Sequence, residues 1–217
     1  MKKKNDKIIL FVCTGNTCRS PMAEILLKAE LKKRALKGFS VRSAGIAAKN
    51  GDVINPKSAE VLLENGLKIE DFHSTLLSGS LLKEAFAVVC MTEQHRDYLM
   101  EARWKLLRED GVENIENTVY SFLEMTGYDV LDPYGRDIDC YRYVFGLLQA
   151  GMSALIDKLR LAEYAEKTKP RAPKKPSDGT PKKRGRPKKT ETENTEKNVA
   201  PKKRGRPKKS ENNNKNT

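Results

Sequence analysis

The sequence predicts an α/β fold, a parallel sheet flanked by helices, followed by a disordered C-terminal tail. Three observations lead there. Short apolar runs of β type alternate with segments of helical periodicity between Lys7 and about Leu159. The first run passes through a short glycine-containing loop directly into a helix, the order expected of a parallel strand-helix unit. From Lys167 onward apolar residues nearly vanish, leaving Ala172, Val199 and Ala200, so that stretch cannot bury a core.

The elements follow in order. Lys7 to Val12 reads as a buried strand, and Pro21 can open a helix carrying Ile25, Leu26, Ala29 and Leu36. A strand is expected near Phe39 to Ser43, then a helix from about Lys57 to Asn65 closed by Gly66. Ala85 to Met91 reads as a second buried strand, and Thr92 as the N-cap of a helix through Leu99. Thr118 to Leu123 reads as the fourth strand. In the last helix, Tyr141, Val144, Phe145, Leu148, Met152, Leu155, Ile156 and Leu159 fall on one face, which we assign to the core. The region before the tail has the size of one ordinary α/β domain.

Between the first strand and the first helix lies Cys13-Thr-Gly-Asn-Thr-Cys-Arg-Ser-Pro21. A loop entering a helix N-terminus offers free backbone N–H groups and the positive end of the helix dipole to an oxyanion. Thr14, Gly15, Asn16, Thr17 and Cys18 are the candidate phosphate-cradling residues; Gly15 permits close approach of the main chain, and Asn16 tolerates a left-handed turn. Cys13 and Arg19 are separated by five residues. A loop curled around one phosphate can therefore set the sulfur beneath phosphorus and the planar guanidinium on two of its oxygens. Only the thiolate is a good nucleophile, and a helix N-terminus beside an arginine favours it. Ser20 is placed to donate its hydroxyl to that sulfur. A leaving group also needs a proton, and Asp132 in Leu131-Asp-Pro-Tyr-Gly135 is the candidate acid and later base, with Pro133 stiffening the turn and Tyr134 offering a ring as a wall.

These residues resemble a known family. The cysteine loop, the segment Arg42-Ser-Ala-Gly45 and the late Asp-Pro-Tyr-Gly together are similar to low-molecular-weight protein tyrosine phosphatases, over about residues 7 to 164. The resemblance implies a three-layer domain with a four-stranded parallel sheet, a phosphocysteine intermediate, and no metal or other cofactor. It makes Cys13 the nucleophile, Arg19 the phosphate clamp, Ser20 the thiolate partner and Asp132 the acid and base. Members acting on phosphotyrosine usually carry Ile or Leu where this chain has Thr17, whereas the branch resembling bacterial protein-arginine phosphatases carries Thr. Thr17 thus points to phosphoarginine on proteins, with phosphotyrosine as the alternative. Neighbours such as Cys18 can form a reversible disulfide with the nucleophile in this family, which makes Cys13 and Cys18 a candidate redox pair.

The other cysteines, Cys90 and Cys140, form neither a disulfide framework nor, with His73 and His95, a zinc-ligand pattern. Cys140 is expected in packing, and each histidine is read as a helix or loop residue. No run spans a membrane; the basic Met1-Lys-Lys-Lys is followed by an apolar run that stops at the cysteine loop, so no signal peptide is expected. A reducing cytoplasm is the expected compartment.

The tail holds the charge. Residues 167–217 carry 19 Lys and Arg against 5 Asp and Glu, a net +14, while the preceding 166 residues carry 23 against 24. Pro181-Lys-Lys-Arg-Gly-Arg-Pro-Lys-Lys189 recurs unchanged as Pro201 to Lys209. Each copy resembles an AT-hook, whose core is here Arg184-Gly185-Arg186-Pro187 and Arg204-Gly205-Arg206-Pro207. Such a segment implies an extended strand in the minor groove of A·T-rich DNA, where a narrow groove concentrates negative potential around inserted arginines. A solvated basic tail that binds any polyanion is the alternative. Three functions follow: a phosphatase carried to the nucleoid, an arsenate reductase, or a DNA-binding protein with a vestigial catalytic domain.

Overall fold

A computed structural model describes residues 6–113 and 116–165; the hooks and all of residues 167–217 lie outside them. The strands are β1 (Lys7–Cys13), β2 (Phe39–Gly45), β3 (Ala87–Cys90) and β4 (Val119–Ser121). They form a parallel sheet in the order β2-β1-β3-β4, with register running from Lys7↔Phe39 to Cys13↔Gly45 and from Ile9↔Ala87 to Val12↔Cys90. The helices are α1 (Arg19–Lys33), α2 (Pro56–Glu64), α3 (Gly79–Glu84), α4 (Glu93–Glu109), α5 (Phe122–Thr126), α6 (Ile138–Lys158) and α7 (Leu161–Tyr164).

β1 is central and buried on both faces, which is why its sequence is continuously apolar. Alternation sends Ile9 and Phe11 into one core and Leu10 and Val12 into the other. On the first side α6 packs against α1, α2 and α5; on the second, α3 and α4 cover the sheet. The three layers are those expected. The predicted face of α6 is buried from Tyr141 to Ile156, and Leu159 follows as the C-cap.

Several boundaries differ from the sequence reading. α1 opens at Arg19, with Pro21 in its first turn, and stops at Lys33, so Leu36 is not helical. Ala35 turns left-handed at φ 55° and the Leu36 N–H bonds back to the Leu31 carbonyl, which folds Leu36 onto the core from outside the helix. Ala85 caps α3, a helix the apolar pattern did not predict, so β3 is shorter than Ala85 to Met91. The fourth strand ends at Ser121 because Ser121 and Glu124 form a reciprocal capping box, which makes Phe122 and Leu123 helical. Thr92 does cap α4, accepting the His95 N–H, but that helix runs on to Glu109. Asn55 caps α2 and Gly66 follows it at φ 70°, close to the expected limits.

Gly151 shows how tightly α6 sits. A Cβ there would meet Phe122 Cζ at 2.6 Å and Thr126 Cγ2 at 2.7 Å. Alanine gains about 1 kcal/mol over glycine in a helix interior, whereas overpacking a fixed core costs about 1–3 kcal/mol. Phe122 is wholly buried, so the clash should win. Gly151→Ala is expected to lower Tm, by about 2–4 °C per kcal/mol in a protein of this size; a Tm at or above wild type would show that the Phe122 ring can yield.

Candidate active site

β1 is the strand from which the chain first crosses to one neighbour, β2, and later to the other, β3, so its C-terminal end is the topological switch point of the sheet. The cysteine loop emerges there: Cys13 ends β1, Cys18 is the N-cap of α1 and Arg19 its first residue. Asn16 takes the left-handed conformation expected of it, at φ 53°. That turn aims the Asn16 N–H at Cys13 Sγ, 3.2 Å away. Ser20 Oγ lies 3.0 Å from the same sulfur.

The buried side chain of Asn16 directs these bonds. Its Nδ2 donates to Ser20 Oγ and to Ser43 Oγ, each at 2.9 Å, and its Oδ1 accepts the Thr75 N–H at 2.7 Å. Since the amide nitrogen can only donate, Ser20 accepts from it and keeps its own proton for the Cys13 sulfur. Ser43 in turn donates to Glu24 Oε2 at 2.5 Å, and Lys28 holds the other oxygen of Glu24 at 2.5 Å. Neither Glu24 nor Ser43 was a site residue in the sequence reading. Gly45 lets β2 approach: a Cβ there would lie 2.5 Å from the Thr14 carbonyl oxygen and 2.9 Å from the Asn16 nitrogen, both backbone. At Gly15 an added Cβ would make only an ordinary contact, 3.8 Å from Thr17 Oγ1.

Asp132 is brought to the loop from far along the chain. Its Oδ2 accepts from Arg19 Nη2 at 2.6 Å, and its Oδ1 accepts the Tyr134 N–H at 3.1 Å. Arg19 is buried, Asp132 half-exposed and Tyr134 largely exposed at the rim. Together with Thr14, Thr17 and Cys18 these groups line a cleft of about 610 Å³ whose other wall includes Val53 and Asn55. Cys13 and Cys18 are both free thiols, and Cys18 Sγ sits 3.5 Å from the Tyr141 hydroxyl. Burial and that contact push the Tyr141 phenol pKa upward. Cys90 is buried in β3, where desolvation raises its thiol pKa, and Cys140 lies half-buried in the first turn of α6.

His73 lies on a loop, against the Gly51 carbonyl and Asp71, as the sequence reading placed it. His95 differs. It is 8 % exposed, with Nε2 3.1 Å from Thr14 Oγ1 and Nδ1 2.6 Å from Thr92 Oγ1. Burial first, and the Arg19 charge second, lower its pKa below the ordinary value, with Asp132 opposing them.

The model of the low molecular weight phosphotyrosine protein phosphatase family matches residues 8–166. The chain belongs to that family. It is a phosphoprotein phosphatase, and its curated relatives bear both substrate names. It is 34% identical over 152 residues to the protein-arginine-phosphatase of Bacillus subtilis, covering 70% of this chain and 96% of that protein. It is 32% identical over 154 residues to the probable low molecular weight protein-tyrosine-phosphatase EpsP of Ralstonia nicotianae, covering 71% and 97%. Among solved structures, the YwlE arginine phosphatase from Geobacillus stearothermophilus superposes with a TM-score of 0.60 at 31% identity, covering 73% of this chain and 96% of that one. The low molecular weight protein tyrosine phosphatase from T. tengcongensis does so at 0.61 and 32% identity, covering 70% and 99%. The AT-hook model matches residues 181–193 and 201–213 of the phosphatase. Among its described residues no helix is long and apolar enough to cross a membrane.

His95 gives the phosphatase domain a pH signature. Its folded pKa lies below the ordinary 6.5, so as pH falls past 6.5 the unfolded chain takes up a proton that the folded chain resists. The stability associated with a neutral His95 is complete above 6.5 and is lost as pH falls toward the lowered value. Denaturant titrations of wild type and His95→Gln on either side of 6.5 should therefore show a steeper acid loss in wild type; parallel curves would mean that His95 titrates alike in both states.

Proposed function

We propose that the chain is a phosphoarginine phosphatase whose Cys13 loop performs the chemistry and whose tail binds DNA. The observation that carries the substrate reading is Thr17, which lines the cleft with its hydroxyl no nearer than 3.7 Å to its neighbour, Cys18 Sγ. A hydroxyl so weakly engaged can accept a guanidinium N–H, which the methyl groups of Ile or Leu cannot. The arginine-phosphatase relatives support the same reading.

In the proposed reaction Cys13 Sγ attacks phosphorus while the Arg19 fork holds two phosphoryl oxygens. The S–P bond forms as the P–N bond breaks, and the leaving nitrogen keeps the electron pair and takes a proton from Asp132. Asp132 next removes a proton from water, whose oxygen attacks phosphorus and returns the pair to sulfur. The Ser20 hydroxyl, directed by Asn16, stabilises the thiolate at both ends of the cycle. Phosphoryl oxygens and Asp132 compete for one guanidinium, so substrate entry displaces the half-exposed Asp132 carboxylate, which takes up a proton from solvent before giving it to the leaving nitrogen. Cys18, in the same loop, is the proposed partner for reversible oxidation of Cys13.

Phosphotyrosine is the second reading, favoured by the exposed Tyr134 ring at the cleft rim and by the tyrosine-phosphatase relatives. The two separate by kcat/KM on phosphoarginine and phosphotyrosine versions of one peptide, with Cys13→Ser as the blank. Wild type should prefer phosphoarginine and Thr17→Ile should shift the preference toward phosphotyrosine; a wild-type preference for phosphotyrosine would sink the arginine reading.

We place the division of the chain at 166/167, supported by the end of the family match at residue 166 and the first hook match at 181. Phosphorylated proteins are then the substrates, A·T-rich DNA the tail's partner, and the cytoplasm near the nucleoid the proposed location. Two hooks on one chain can act bivalently. Replacing Arg184, Arg186, Arg204 and Arg206 with Lys keeps the charge but removes the planar forks. That variant should lose its preference for A·T-rich over G·C-rich duplex in fluorescence anisotropy while retaining salt-sensitive binding; an unchanged preference would leave only a basic tail.

A further inference from the structure

The geometry points to His95 as a positioning residue, whose Nε2–H donates to Thr14 Oγ1 and so leaves the Thr14 hydroxyl proton for an oxygen of the bound phosphoryl group. The direction of the bonds follows from counting protons. Thr92 Oγ1 accepts the His95 backbone N–H at 3.3 Å, as a helix cap does, and lies 2.6 Å from His95 Nδ1. A hydroxyl has a single proton, and the ring nitrogen is the acceptor within reach of it. If Nδ1 accepts, the proton of the uncharged ring resides on Nε2, 3.1 Å from Thr14 Oγ1.

The opposite tautomer would make Thr92 Oγ1 accept twice and leave its own proton without an acceptor among the described residues. Burial of the ring, helped by the Arg19 charge, favours its uncharged form with a single ring proton, and the Thr92 contacts place that proton on Nε2. Thr14 is exposed and lines the cleft with Cys13, Arg19 and Asp132. Its freed proton therefore has one useful direction, into the cleft. The chain Thr92, His95, Thr14 braces the loop from the start of α4, on the opposite side of the sheet from the Glu24–Ser43–Asn16 brace of α1. His95 thereby holds the loop at Thr14, and Asn16 holds it two residues further on.

This inference rests on the Cys13 loop as the phosphoryl site, which Cys13→Ser tests separately: retained activity there would defeat the site assignment itself. The inference is tested in the full chain with para-nitrophenyl phosphate, whose leaving group needs little help from Asp132, and with inorganic phosphate as competing inhibitor. Glutamine can place an N–H near the position of Nε2, whereas asparagine reaches only that of Nδ1. His95→Gln should stay within about threefold of wild type; His95→Asn should lower kcat/KM roughly tenfold or more and weaken phosphate inhibition, the scale of one hydrogen bond to a charged group. Thr14→Val should do the same, and Thr14→Val with His95→Asn should be no worse than either alone. Losses that multiply, or a glutamine variant as impaired as the asparagine one, would overturn the assignment. Should His95→Asn fail to fold, the ¹⁵N resonances of the wild-type ring decide the matter: a proton on Nε2 alone supports the assignment, and a proton on Nδ1 overturns it.

Discussion

The structure around the cleft depends on the left-handed turn at Asn16. At φ 53° the chain reverses so that the residue's own N–H faces Cys13 and its side chain faces inward. Asparagine suits this position twice over: it tolerates the conformation, and its amide carries both donors and acceptors. Both donors and the acceptor oxygen are engaged, by Ser20, Ser43 and Thr75. Glycine would reach the same backbone angles with none of these bonds. Aspartate would set an acceptor against Ser20 and Ser43 where donors are required, stranding buried polar groups at about 1–3 kcal/mol each.

Placement of charge depends on that turn in a second way. A loop curled over the end of β1 brings Arg19 into the protein, where its guanidinium is almost wholly buried. A buried cation needs a partner, and Asp132 supplies it from the solvent side. The carboxylate is only half-covered, so when the pair opens water can solvate it, and only the buried Arg19 is left needing a partner. The same arginine charge also bears on His95, linking the Asp132 loop, Arg19 and the start of α4 electrostatically.

Much of this was legible in the residue order. Cys13, Asn16, Arg19 and Ser20 lie within eight residues at the junction of β1 and α1, and short-range spacing largely dictates which of them can meet. The core face of α6 was equally plain, because eight apolar residues from Tyr141 to Leu159 recur at helical period. α4 was harder: past Leu99 half of its residues are charged, with Arg103 buried where an apolar residue would be expected, so its periodicity fades. Arg103 donates to the Leu82 and Ala85 carbonyls at the end of α3, which makes a buried charge tolerable. Neither half of that arrangement has a local sequence signal. His95 was missed for a related reason. A lone histidine near a helix start reads as an ordinary capping-turn residue, and only the facing loop gives it a partner.

By itself the sequence determined what is local: the strand-loop-helix that carries the cysteine, the faces that must be buried, and a tail whose +14 charge and repeated Arg-Gly-Arg-Pro cores need no tertiary contact to be recognised. Tertiary structure decided the pairings across the chain. Arg19 meets Asp132 over 113 residues, Thr14 meets His95 over 81 and Glu24 meets Ser43 over 19. Each depends on sheet order and register, which bring β2 and β3 to either side of β1 and set their loops against its C-terminal end. Directional bonds of that length in sequence have no periodicity to announce them, since they exist only once the layers have packed.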